Sequence, residues 1–133
     1  MFGKRDESKP QGRIDTLIGA GALVEGNIRF TGGLRIDGEV KGNVEAADGA
    51  SAAMLVLSEQ ARVEGLVAVA HLVTNGTVVG QVCVSESLEM QARSKIVGDV
   101  EYSIIEMHQG AVVEGRLIHR DGKSVELKLA ATN

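Results

Sequence analysis

The chain has no tryptophan, a single cysteine and a single proline, and its only aromatic residues are Phe2, Phe30 and Tyr102. Each shortage excludes something. A globular enzyme core draws much of its buried area from large aromatics, so these 133 residues must fill their interior differently. One cysteine, Cys83, excludes an internal disulfide and a cysteine-rich metal site, and it fits a reducing compartment. No window approaches the roughly eighteen consecutive apolar residues of a membrane-spanning helix. The first fifteen residues hold no apolar segment of a secretion signal, so the expected location is cytoplasmic. A dominant charge is also lacking. Fourteen Lys and Arg are interspersed with 18 Asp and Glu for a net charge of −4. That balance, without stacking aromatics, gives neither the basic stripe nor the base platform of a nucleic-acid binder.

What the chain does have is valine and glycine, 17 of each. Branched aliphatics suit strands. Six times an aliphatic, any residue, glycine, any residue and another aliphatic follow one another, centred on Gly26, Gly42, Gly65, Gly80, Gly98 and Gly115. The glycines are 16, 23, 15, 18 and 17 residues apart. A unit this short cannot enclose a core of its own, so neighbouring units must stack. The expected fold is all-β: a single-domain parallel β-helix, or β-solenoid, of about six coils with disordered termini.

Residues 1–15 form the expected polar N-terminal tail, residues 16–119 the β-helix, and residues 120–133 a C-terminal strand and tail in which Val125, Leu127 and Leu129 alternate with Glu126 and Lys128. Leu34, Ile36, Gly38, Val40, Gly42 and Val44 share one parity, and the polar or charged residues between them share the other. This alternation gives one dry and one wet face. The repeated glycine lies on the dry parity, where it lets the backbone bend without driving a side chain into a crowded axis. The interval of 23 spans the small-residue stretch 46–53 and predicts a loop bulging from one corner. Stacking predicts a column of Glu25, Lys41, Glu64, Val79, Val97 and Glu114, with an outward apolar patch of Val79 and Val97 joined by Leu66 and Cys83. Only Ser85 to Lys95 carries a passable helical reading.

A parallel solenoid satisfies its backbone only between coils, so its first and last coils each present an open edge. The sequence offers no convincing cap. The expectation is therefore end-to-end assembly with copies of itself. The candidate joint residues are Leu17, Ile18, Leu23 and Val24 at one end and Val113, Leu117, Ile118, Leu127 and Leu129 at the other.

The segment from Thr16 through Ile28 and on from Gly33 to Val44 resembles the start of a bactofilin, the bacterial polymer-forming cytoskeletal family. The resemblance covers about residues 16–119 and is most specific over 17–44; later coils match only in pattern. It implies a right-handed β-helix between short polar tails. It further implies non-polar filaments that form without nucleotide, often at the membrane, as scaffolds for cell-shape and cell-wall factors. The residues independently lack a phosphate-binding GxxxxGK[ST] loop, and no cofactor is expected. Met1-Phe2-Gly3-Lys4-Arg5 resembles the family's apolar-plus-cationic leaders. It makes Phe2, Lys4 and Arg5 candidate contacts to an anionic membrane surface at its inner face, multiplied by avidity along a filament.

The rival from another class is a left-handed hexapeptide-repeat acyltransferase, a trimer. Ile18, Val24, Phe30 and Ile36 are six apart, but Gly42 breaks the register. Such an enzyme needs a general base. His71, His108 and His119 show no serine or carboxylate partner at suggestive spacing, although His108 faces outward beside Glu106. No His-x-His pair or cysteine cluster suggests a metal. A carbohydrate-binding or lyase-like β-helix would be longer and would carry aromatic or paired-acid clefts. The sequence reads as a structural protein without catalytic activity.

Overall fold

The computed structural model describes residues 13–47 and 52–120; the leader residues Phe2, Lys4 and Arg5 and the C-terminal Leu127 and Leu129 lie outside them. The described residues form sixteen strands and no helix. The first coil is β1 (Thr16–Ile18), β2 (Leu23–Glu25) and β3 (Ile28–Phe30), and the second is β4 (Gly33–Ile36), β5 (Glu39–Lys41) and β6 (Val44–Ala46). The third is β7 (Met54–Leu57), β8 (Arg62–Glu64) and the first half of β9 (Val67–Thr74). The fourth is the rest of β9, β10 (Thr77–Val79) and the first half of β11 (Val82–Met90). The fifth is the rest of β11, β12 (Lys95–Val97) and β13 (Val100–Tyr102), and the sixth is β14 (Ile104–Met107), β15 (Val112–Glu114) and β16 (Leu117–His119). At about 4.8 Å per rung the rod is on the order of 30 Å long.

The coil has three faces, and every pairing is parallel. The first face runs β1-β4-β7-β9-β11-β14. The second runs β2-β5-β8-β10-β12-β15. The third runs β3-β6-β9-β11-β13-β16. Inward residues stack in columns. On the second face Val24, Val40, Val63, Val78, Ile96 and Val113 are in register. In the four middle coils this column is fully buried. Burying one such side chain stabilises by about 1.5–3 kcal/mol, so a narrow aliphatic interior suffices without aromatics. Thr74 interrupts the column of Ile36, Leu57 and Met90, and its hydroxyl is satisfied by accepting the Gly76 N–H at 3.1 Å.

The repeated glycine opens the corner between the second and third faces. In all six coils that corner is two residues long: Gly then Asn27, Asn43, Leu66, Gln81, Asp99 or Arg116. The six glycines all have positive φ, from 135° at Gly26 to 159° at Gly115. They also stack directly: a Cβ on Gly65 would collide with the Gly42 carbonyl oxygen, and one on Gly80 with that of Gly65. The backbone conformation requires glycine at all six positions, and the space requires it at every one but Gly26.

Two sequence expectations change in detail. The alternation over 34–45 spans three strands, β4, β5 and β6, rather than one flat strand. Two-residue corners preserve inward and outward parity, so the pattern reads through them. The helical reading of Ser85 to Lys95 is replaced by the second half of β11 and a corner. Leu88 and Met90 lie two apart and point inward, and pairing with β9 and β14 outweighs the local helix propensity of Glu, Leu and Met. The insertion falls between β6 and β7, as the 23-residue interval predicts, with residues 48–51 outside the described set.

Candidate assembly surface

The corners and columns fix what the rod shows to its surroundings. The predicted outward column of Glu25, Lys41, Glu64, Val79, Val97 and Glu114 is in register throughout. Val79, Val97, Leu66 and Cys83 are half-buried along the side of the rod. Burial pushes the Cys83 thiol upward in pKa, with Glu101 adding to the shift, so it stays a thiol. At the glycine corners, side chains of one coil hold the next. Asn27 Oδ1 accepts the Asn43 N–H and Asn43 Oδ1 accepts the Leu66 N–H, both at 2.9 Å. Asp99 does the same for Arg116 N–H at 3.0 Å and takes the Arg116 guanidinium as well. That guanidinium, then that backbone N–H, hold the Asp99 carboxyl below its ordinary value of 3.8. Asp37 is lowered likewise, chiefly by Arg35.

The histidines find partners the sequence did not show. His71 Nδ1 lies 2.8 Å from Ser87 Oγ on the next rung, and His119 Nε2 lies 3.0 Å from the Ser103 carbonyl with its ring tilted against Tyr102. His108 Nε2 sits 3.0 Å from Glu89 and 3.3 Å from Glu106. Apart from Glu106, which alternation already sets beside His108, these partners lie about one repeat away in sequence. A search at that interval finds them; a search for local spacing does not.

The two end coils differ from the rest. Among the described residues, the strands of coil one pair only with coil two and those of coil six only with coil five, so within that set one backbone edge is unpaired at each end. Among the described residues, every exposed large hydrophobic lies at or next to an end coil: Ile14, Leu17 and Leu23 at one end, and Ile104, Met107, Val112 and Leu117 at the other. No described segment crosses either end.

The candidate residues divide by register. Ile18 and Val24 face inward and are half-buried, whereas Ile36 and Val40, one coil in, are 0% exposed. Leu17 and Leu23 stand on outward columns with Arg35 and Glu39 and are 59% and 52% exposed. At the far end Val113 and Leu117 face inward, and Leu117 is 46% exposed because no described residue is stacked beyond it. Ile118 stands outward beside Glu101. The sequence reading missed Ile14, Ile28 and Phe30 at the first end and Ile104, Met107 and Val112 at the last. Ile14 fell in the expected polar tail, and which coil is terminal is visible only in the stack.

Known proteins supply the remaining comparison. Over 103 residues, 77% of the chain, it is 26% identical to Bactofilin BacP of Myxococcus xanthus (strain DK1622), but it spans only 41% of that protein's length. No solved structure matches the chain significantly. The family model for Bactofilin, described as polymer-forming cytoskeletal, matches residues 16–118, the whole of the coiled body. The protein therefore belongs to the bactofilin family of polymer-forming cytoskeletal proteins.

Proposed function

We propose that this chain is a scaffold subunit that assembles end to end into non-polar filaments without nucleotide and without catalysis. One observation carries the reading: among the described residues, the exposed large hydrophobics concentrate at the two ends, where the described backbone ladders are also open. Edges of this kind are templates for another copy. The joints use Ile18, Val24, Ile28 and Phe30 at one end and Met107, Val113 and Leu117 at the other, with Leu17, Leu23, Ile104, Val112 and Ile118 at the rim. Leu127 and Leu129 join the second set if the C-terminal segment pairs onto β14. The acyltransferase alternative has no support from the family match, which covers the whole coiled body.

The test is electron microscopy and light scattering of the purified chain in nucleotide-free buffer. Filaments are expected, and a chain carrying both Val24→Lys and Leu117→Lys should be monomeric with an unchanged β-sheet circular dichroism spectrum. A wild-type chain that stays monomeric at micromolar concentration overturns the reading.

The filament would associate with the inner face of the cell membrane through Phe2, Lys4 and Arg5, and would organise cell-shape or cell-wall factors. What supports membrane contact is the leader composition, each cation contributing about 1 kcal/mol at an anionic surface. No helix among the described residues is long and apolar enough to cross a membrane. Deleting residues 2–5 should leave filaments intact and abolish their co-sedimentation with anionic vesicles. Unchanged co-sedimentation would remove the leader from the account.

A further inference from the structure

On the first face, the outward residues Glu89 and Glu106 are partners in register on adjacent rungs. Elsewhere on the described rod, outward charges that meet in register are opposite in sign: Glu25 with Lys41, Lys41 with Glu64, Glu39 with Arg62, and Arg29 with Glu45. Like charges directly opposite each other destabilise a sheet. The Glu89 and Glu106 step is the exception among these pairs, and an imidazole stands over it.

His108 follows Glu106 by two residues, so both project to the same side. Its backbone is fixed by its N–H to the Met90 carbonyl at 2.8 Å and by the turn that Ala111 N–H closes on the His108 carbonyl at 3.1 Å. One imidazole nitrogen and two carboxylate oxygens thus converge, all within 4.8 Å of one another. The Nε2 contacts are 3.0 Å to Glu89 and 3.3 Å to Glu106. Four-coordinate zinc with bonds of about 2.0–2.2 Å separates its ligand atoms by roughly 3.3–3.5 Å. The two imidazole contacts are therefore within a few tenths of an ångström of that spacing, and the two carboxylate oxygens, which lie within 4.8 Å of each other, can be drawn together by rotation of their partly exposed side chains. Gln91 Nε2 also donates to Glu89 at 3.4 Å and orients that carboxylate. The side chains are partly exposed, leaving room for water as further ligands.

We propose that Glu89, Glu106 and His108 bind a divalent transition-metal ion of the zinc type, which fastens the sixth coil to the fifth. The imidazole sets the class: nitrogen with carboxylate oxygen suits zinc and its neighbours, whereas magnesium and calcium take oxygen alone. A cation there also cancels the repulsion of the stacked carboxylates. The site does not depend on end-to-end assembly.

Isothermal titration of the full chain with zinc should show saturable binding of one ion per chain, with magnesium failing to compete. His108→Ala should weaken it by at least about tenfold, since losing even an outer partner of a ligand costs about 10–100-fold. Glu106→Gln should weaken it too. His71→Ala and Cys83→Ser should leave it unchanged. Zinc should raise the melting temperature of the wild type and not of His108→Ala. Absence of zinc uptake, or uptake that survives both His108→Ala and Glu106→Gln, means a hydrogen-bonded triad only and overturns the proposal. Because titration reads binding and not filament length, its failure is separable from failure of the scaffold reading.

Discussion

At the scale of the residue, the glycine column is the feature most exposed to a single change. Gly65 has φ of 154°, and an added Cβ would meet the Gly42 carbonyl, which the coil below holds in place. Gly65→Ala should destabilise by about 1–3 kcal/mol from backbone strain alone, with the collision adding to it. Gly26→Ala bears only the strain, because its Cβ would meet nothing within 4 Å. Urea unfolding of the end-blocked chain should show the first loss clearly larger than the second. These glycines were legible in the sequence because each requirement repeats in one context. The Asn27 and Asn43 bonds to the next coil were not, because an asparagine after glycine has many local uses and only stacking selects this one.

Among elements, the columns were legible and the corners only in part. The charged and valine column from Glu25 to Glu114 was read correctly because parity and interval together determine it. Corner lengths follow no such rule: between the first and second faces they hold four residues at 19–22, two at 37–38, four at 58–61, two at 75–76, and four in each of the last two coils. The corner from Asp99 to Arg116 carries a pH dependence. Its carboxyl is lowered in the folded chain, so its stabilisation is full above the ordinary aspartate range and is lost as pH falls through the lowered value. Melting temperature should therefore drop on acidification below about pH 4. Asp99→Asn keeps an oxygen for the Arg116 N–H and removes the charge, so its melting temperature should vary less over the same interval.

For the whole molecule, the solenoid itself was legible, since short units must stack, and so were several residues of its end coils, while the division of Leu17 and Ile18 between surface and interior was not. Leu17 and Ile18 are neighbours in sequence, yet one projects from the rod and the other lines its interior. The like-end character of the proposed filament gives a sharp expectation. If each joint unites two identical ends, Val24→Lys alone should stop assembly at dimers held by the sixth coils, and Leu117→Lys alone at dimers held by the first. Analytical ultracentrifugation distinguishes this from head-to-tail joints, for which either change leaves monomers.

The uneven corners have one more consequence. Along the third edge the turn is two residues at 31–32, is absent where β9 runs straight through, and becomes a bulge between Val84 and Ser87. From the first coil to the fifth, no coil therefore matches its neighbour in bend length. A rod of interchangeable rungs would tolerate slippage, partial overlap and exchange of internal turns between chains. Here a displacement by a single rung sets long bends against short ones, so in the proposed filament the outline of each subunit would work as a key, and length would be added only in whole molecules.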